Sequence, residues 1–158
     1  MSYLDEGPRA EYIRLGGVTG SGKTRLLPQI HSSLDLEEMA NHRGSAFGAR
    51  GTQPSQVSFE NALAMGLLTH EGNKILVEDE SQMIGKRHIP KRQFELMRSS
   101  PLVILEVSSS DQAHNIFNDY VIGSEELFFQ SGLEKIKQRL SKQVYTGISQ
   151  GINHAFKL

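Results

Sequence analysis

The chain has 158 residues, 37% of them hydrophobic and 22% charged, with a formal net charge of −1. That length suits one compact domain with its own core, and the charge balance by itself selects neither a nucleic acid nor a membrane as partner. The absence of cysteine excludes disulfides, thiolate metal sites and a cysteine nucleophile within the chain. No apolar run approaches the ~20 residues of a membrane span. The start, "MSYLDEGPRAEYIRL", lacks the basic head and apolar stretch of a signal peptide, so a cytoplasmic location and no membrane partner are expected.

Taken in order, residues 1–11 read as a lead-in and 12–158 as one domain. Tyr12 to Leu15 is a short strand running into glycines. A helix can begin at Gly22, with Pro28 kinking or ending it. "SLDLEE", 33–38, reads as a second short strand. Residues 41–55 carry Gly and Pro signals and form a loop long enough to suggest a functional segment. Ser55 can cap a helix from Gln56 to about His70, with Phe59, Leu63, Leu67 and Leu68 at helical spacing.

"KILVEDE", 74–80, is a buried strand running into acids, and "SQMIGKRHIP" a second loop. Pro90 suits the first turn of a helix through about Arg98. "LVILEV", 102–107, is the clearest strand. Asp111 can cap a helix to about Val121, and a helical tail over about 124–150 is interrupted near Gly132. The β-α alternation predicts an α/β fold: three layers, P-loop NTPase-like, with a mostly parallel sheet and a helical C-terminal segment. Right-handed crossovers gather the loops after the strands on one edge, where ligands bind.

One stretch decides the chemistry. "GGVTGSGKTRLL", 16–27, has the spacing G-x-x-x-x-G-K-[ST], filled by Gly17, Gly22, Lys23 and Thr24. Backbone N–H groups over Gly17, Thr19, Gly20, Ser21 and Gly22 can form an anion nest, to which the following helix adds its positive end. Lys23 supplies a full charge to a polyphosphate, Thr24 offers a hydroxyl to Mg²⁺, and Arg25 is a further phosphate contact. The metal also needs an acid at a neighbouring strand end, where Glu78, Asp79 and Glu80 stand. Asp79 is the first choice for the metal and Glu80 for a general base, while at least one of the three is a solvated carboxylate, since alternate residues face opposite ways.

Arg43, beside Asn41 and His42 in the long loop, and Arg87 after the acidic strand are further candidates to stabilise phosphate charge. Lys86, Arg87, Lys91, Arg92 and Arg98, and then Lys135, Lys137, Arg139 and Lys142, form basic stretches. They are either solvated helix faces or a surface for phosphates or nucleic acid.

The loop strings are more specific than the phosphate loop. "LDLEEMANHRGSAFG", "QPSQVSFENAL", "ILVEDESQMIGKRHIP" and "SSPLVILEV" follow "GGVTGSGKT" in this order. Together, over roughly 13–145, they resemble the P-loop domain of tRNA 2-selenouridine synthase. The resemblance implies an enzyme that geranylates the sulfur of wobble 2-thiouridine in tRNA with geranyl diphosphate. It then replaces the geranylthio group with selenium from selenophosphate, using a rhodanese-like domain with a catalytic cysteine. On that resemblance Lys23, Arg43, Asp79 and Glu80 carry the chemistry. Asn41, His42, Arg43, Ser45, Phe47, Gln53, Arg87 and Lys91 meet substrate or tRNA, and Phe47, Phe59, Leu63 and Met83 are either prenyl lining or core.

This chain departs from the pattern in having neither that domain nor a cysteine, and its C-terminal end is shorter than the family's helical extension. Because its start reads as an ordinary chain beginning, a stand-alone subunit with a separate rhodanese-like partner is expected, rather than a fragment. Two other readings stay open: a kinase-like P-loop NTPase using Thr24, Asp79 and a lid with Arg87, and a non-catalytic tRNA-docking subunit. The oligomeric state has no sequence signal.

Overall fold

A computed structural model describes residues 4, 10–43, 48, 50–122 and 125–156. Its centre is strand β1 (Glu11–Gly16), flanked by β3 (Lys74–Glu78) and β6 (Leu102–Ile104), with β2 (Ser33–Leu34) outside β3. All three pairings are parallel, giving the order β2-β3-β1-β6. The chain leaves β1, passes over the place of β3 to lay down β2, returns through β3, and later adds β6 on the other side. The strand order therefore reverses at β1, where the phosphate loop begins.

Alternation along β1 sets its two faces. Tyr12 and Arg14 point one way: Tyr12 Oη donates to Gln93 Oε1 (2.7 Å) and Arg14 to the Ser100 carbonyl (3.1 Å). Both partners belong to helix α4 (Lys91–Arg98) or its exit. Tyr12, Phe59, Leu63, Leu67, Ile75, Val77, Ile84, Ile89 and Met97 form one core cluster, with Phe59, Leu63 and Leu67 supplied by α3 (Gln56–Leu68) at helical spacing. Leu15, Leu27 and Leu133 are buried outside it. The expected lead-in contributes to this core through Leu4, 5% exposed, and β1 starts at Glu11.

Several expectations are revised. The helix after the loop is a single turn, α1 (Lys23–Leu26), continued by a 3-10 turn over Leu27–Gln29 because Pro28 has no N–H to extend the α ladder. "SLDLEE" is a strand only over its first two residues. Asp35 then accepts from the Glu38 N–H (2.8 Å) and starts the short helix α2 (Leu36–Met39). The second loop contains a hairpin, β4 (Met83–Ile84) with β5 (Arg87–His88), turned at Gly85, φ 61°. Ser55 caps α3 as expected, accepting from the Ser58 N–H (3.0 Å).

The clearest strand is the least buried. β6 covers 102–104 only, with Leu102, Val103 and Ile104 44%, 51% and 54% exposed. Among the described residues it sits at the sheet edge, paired with β1 alone. Ser108, not Asp111, caps the next helix, α5 (Ser109–Ile116), which runs into a π-helical turn over Phe117–Val121. The tail holds α6 (Glu126–Ile136) and α7 (Lys142–Ala155). Their break is a 3-10 turn over Lys137–Arg139 followed by the Ser141 cap, and Gly132 is buried inside α6.

Candidate functional site

A cleft of about 360 Å³ opens at the carboxyl ends of β1 and β3. The phosphate loop supplies Gly17, Thr19, Gly20, Ser21, Gly22, Lys23, Thr24 and Arg25; Glu37, Arg43, Asp79, Glu80, Asp119 and Tyr120 complete the wall. Lys23 Nζ donates to the Gly17 carbonyl (2.7 Å), spanning the loop from its last residue to its first. The Ser21 hydroxyl is buried in the loop with no partner among the described residues. Gly20 has φ 82°, and a Cβ there would lie 2.6 Å from Ile116 Cγ1 and 2.8 Å from the Gln112 carbonyl. Only glycine fits both the conformation and the space.

That close approach shows what shapes the loop. Gln112 Nε2 donates to the Thr19 carbonyl and Asn115 Nδ2 to the Gly20 carbonyl, each at 2.9 Å. Arg25 reaches back to Asn115 Oδ1 and Asp119 Oδ1, both at 2.8 Å. Arg43 donates to the Asp119 carbonyl and lies over the Tyr120 ring, 4.8 Å from its centroid. The turn 117–121 thus roofs the cleft. Irregular helical turns of this kind are frequent at functional sites because they re-aim side chains out of the regular ladder.

The acids at the end of β3 divide by face. Asp79 lines the cleft, but its Oδ1 accepts from Arg14 (2.8 Å) and from Arg98 (2.9 Å). The expected metal ligand is therefore the centre of an ion-pair hub joining β1, β3 and α4. Glu78 points the other way and is fully buried: Oε2 accepts the Glu37 N–H (3.3 Å), and Oε1 has no partner among the described residues. Glu37, Glu78 and Glu80 bring carboxylate oxygens within 4.8 Å of one another. Burial, then the Glu80 and Asp35 charges, pushes the Glu37 carboxyl up to about 7 against the pull of Lys23 and Arg50. Glu78 is driven well above the usual carboxylate range by burial and then by Glu37. Glu80 is raised by burial, with Lys23 opposing.

The loop 41–55 splits in role. Arg43 reaches the cleft, whereas Asn41, His42 and Gln53 do not line it. Asn41 takes φ 48° and donates to the Thr52 carbonyl (3.1 Å). Gln53 donates to the Ala40 and Ile84 carbonyls (2.9 and 3.1 Å) and accepts the Lys86 N–H (2.7 Å), tying the loop to the hairpin. The His42 ring lies close to Gly85, where a Cβ would meet its Cδ2 at 2.7 Å. Burial, followed by Lys135 and Arg50, lowers the His42 pKa.

Ser45 and Phe47 lie outside the described residues. Arg87 sits in the hairpin, and Lys91 opens α4 with its side chain 84% exposed, pairing loosely with Glu95 at 3.9 Å; neither lines the cleft. Phe59 and Leu63 are core and Met83 is half exposed on the hairpin; none of the three lines the cleft. Sequence reasoning missed Glu37, Asp119 and Tyr120. For Glu37 a signal existed: Asp35 followed by Glu38 three residues later is a helix-start pattern.

A parallel sheet reversing at a glycine-rich loop, with a lysine across that loop and a polar cleft above it, defines a phosphate-binding P-loop domain. The sequence profile of the family described as the tRNA 2-selenouridine synthase AAA domain matches residues 10–158. The chain belongs to that family. It is 41% identical over 154 residues to the tRNA 2-selenouridine synthase of Cupriavidus necator, covering 92% of this chain and 42% of that protein. It is 39% identical over 160 residues to that of Shewanella sediminis, covering 95% and 43%. The corresponding protein of Pseudomonas syringae pv. syringae is 46% identical over 114 residues, 70% of this chain and 31% of the relative. The chain thus spans about two-fifths of the length of the first two relatives. No solved structure matches it. Among the described residues, no helix is long and apolar enough to cross a membrane.

Proposed function

We propose that this chain is the phosphate-binding part of a tRNA 2-selenouridine synthase, and that its cleft holds the diphosphate of geranyl diphosphate while a wobble 2-thiouridine of tRNA is S-geranylated. The observation that supports this is the loop itself. Lys23, Arg43, the buried Ser21 hydroxyl and the backbone of Gly17–Gly22 converge on one polar cleft. In the transfer, the allylic C–O bond breaks and diphosphate leaves with the electron pair. The sulfur forms the new C–S bond and the N3–H proton of the base is released. Stabilising charge on the departing diphosphate is the main catalytic task, and preorganised donors do it best.

The cleft is polar, with Tyr120 the one aromatic lining it among the described residues; it takes the diphosphate, and the prenyl chain leaves past that ring. Mg²⁺ would neutralise diphosphate charge there, with the Thr24 hydroxyl on the cleft wall. The exchange of geranylthio for selenium from selenophosphate needs a cysteine, which this chain does not contain. That step falls to a rhodanese-like domain or subunit. Exposed Lys91 and its basic neighbours offer tRNA a phosphate-tracking surface.

A second reading, nucleotide hydrolysis or γ-phosphate transfer, is favoured by the same polarity and by the carboxylates Glu37 and Glu80 on the wall. Calorimetric titration with geranyl diphosphate, ATP and GTP, with and without Mg²⁺, separates the two. Preferential binding of geranyl diphosphate, abolished in Lys23→Ala, is expected. Tight nucleotide binding with no response to geranyl diphosphate would make the second reading the correct one.

A further inference from the structure

We infer that Glu37, Glu78 and Glu80 form a divalent-cation site at the side of the phosphate loop, separate from Thr24 and Asp79. Its existence does not depend on which phosphate compound the cleft takes; its use does rest on the cleft being a phosphate site.

Two separate pieces of backbone deliver these carboxylates to one spot: α2 supplies Glu37, and the end of β3 supplies Glu78 and, two residues on, Glu80. A fold that merely tolerated acids there would solvate or pair them. Here none of the three has an ion-pair partner among the described residues. The cations that could serve are committed elsewhere: Arg50 pairs with Glu38 at 2.7 Å, and Arg14 and Arg98 with Asp79. Lys23 is near enough to be felt by Glu37 and Glu80, but its ammonium bonds the Gly17 carbonyl.

Glu78 is the strongest sign. It is 0% exposed, and one of its oxygens has no hydrogen-bond partner among the described residues. A buried, unpartnered carboxylate oxygen is costly unless a proton or a metal ion satisfies it. Glu37 and Glu80 bring their carboxylates up beside it, the three oxygens lying within 4.8 Å of one another, and like charges gathered so closely repel unless a cation or a proton lies among them.

The chemistry of the set selects the ion. Three carboxylates with no nitrogen or sulfur donor suit a hard cation such as Mg²⁺, Mn²⁺ or Ca²⁺. Opposite oxygens in an octahedral Mg²⁺ shell are about 4.2 Å apart and in a Ca²⁺ shell about 4.8 Å, so the 4.8 Å spread needs little or no closure. Glu37 and Glu80 also line the cleft, so an ion held here has open coordination positions facing a bound phosphate, while Glu78 anchors it from the interior.

The test is Mn²⁺ binding to the full chain, read by electron paramagnetic resonance and by calorimetry in buffers of different ionisation enthalpy, with no phosphate compound present. One Mn²⁺ per chain is expected, with proton release on binding and affinity at least tenfold higher at pH 8 than at pH 6. Glu78→Gln should weaken binding tenfold or more. Glu80→Gln, on the accessible wall, should do the same and covers the case in which the buried variant fails to fold. Lys23→Ala should keep Mn²⁺ while losing the diphosphate, so failure of the prenyl-donor reading leaves this result standing. Absence of Mn²⁺ binding, or binding that survives Glu80→Gln without loss, or binding seen only with diphosphate and lost in Thr24→Ala, would overturn the assignment.

Discussion

Replacing Asp79 by Asn tests whether this carboxylate is structural or chemical. Arg14 has a side chain only 10% exposed; it bonds Asp79 and the Ser100 carbonyl, and its Nε has no partner among the described residues. Asn is nearly the same size but leaves that guanidinium facing a neutral amide. Breaking a fully buried ion pair costs about 3–5 kcal/mol. Asp79 is 23% exposed and Arg98 54%, so solvent screens part of the loss and about 2 kcal/mol is expected. With a urea dependence of about 2 kcal/mol per molar, the unfolding midpoint should fall by about 1 M. Arg98→Ala, which removes the exposed arm, should cost about 0.5 kcal/mol. Phosphate-ligand and Mn²⁺ affinities of the Asn variant, measured below its midpoint, should stay within about threefold of the parent, a change of under about 0.7 kcal/mol. An unchanged midpoint combined with lost ligand or cation binding would refute the hub and return Asp79 to the metal.

Gly20→Ala should lower thermal stability and weaken phosphate binding together, because the added Cβ collides with Ile116 and with the Gln112 carbonyl at a left-handed φ; calorimetry and thermal melts check both. Gln53→Ala removes three hydrogen bonds, two to the hairpin and one to the Ala40 carbonyl, and should cost about 2 kcal/mol, read by urea denaturation, with the cleft residues themselves untouched. Glu37 gives a pH signature in metal-free buffer. Its folded pKa, about 7, lies above the ordinary 4.5, so the native state holds its proton more tightly. Its contribution to stability is complete below pH 4.5 and is lost as pH rises to about 7, by up to about 3 kcal/mol. The stability of Glu37→Gln minus that of the parent should therefore grow across that window; a flat difference would contradict the burial argument.

Much of the fold was legible because periodicity and punctuation are local. The phosphate loop, α3 with its Ser55 cap and the buried strand into acids all follow from neighbours in sequence. The extent of β6 was not, since five apolar residues in six suggest a buried central strand, yet only three pair and they lie at an edge. In the site, the loop residues were readable from spacing and Arg43 from its company. The roof was not, because Asp119 and Tyr120 meet the loop and Arg43 across 76 or more residues. The division of labour between Glu78 and Asp79 follows from which face each takes at the end of β3, something composition cannot express.

The slender edge strand bears on how the cleft moves. Leu102, Val103 and Ile104 keep roughly half their surface in water, so β6 is held chiefly by its register with β1. Yet it leads directly into Ser108 and α5, whose Gln112 and Asn115 grip the carbonyls of Thr19 and Gly20. The roof therefore hangs from the least protected part of the sheet, while the floor rests on β1 and β3. Amide exchange should report two separate openings: a low-energy one through β6, the Leu105 N–H that bonds Gly16, and α5, and a high-energy one through β3 that coincides with global unfolding. A ligand bridging loop and roof would raise the first toward the second.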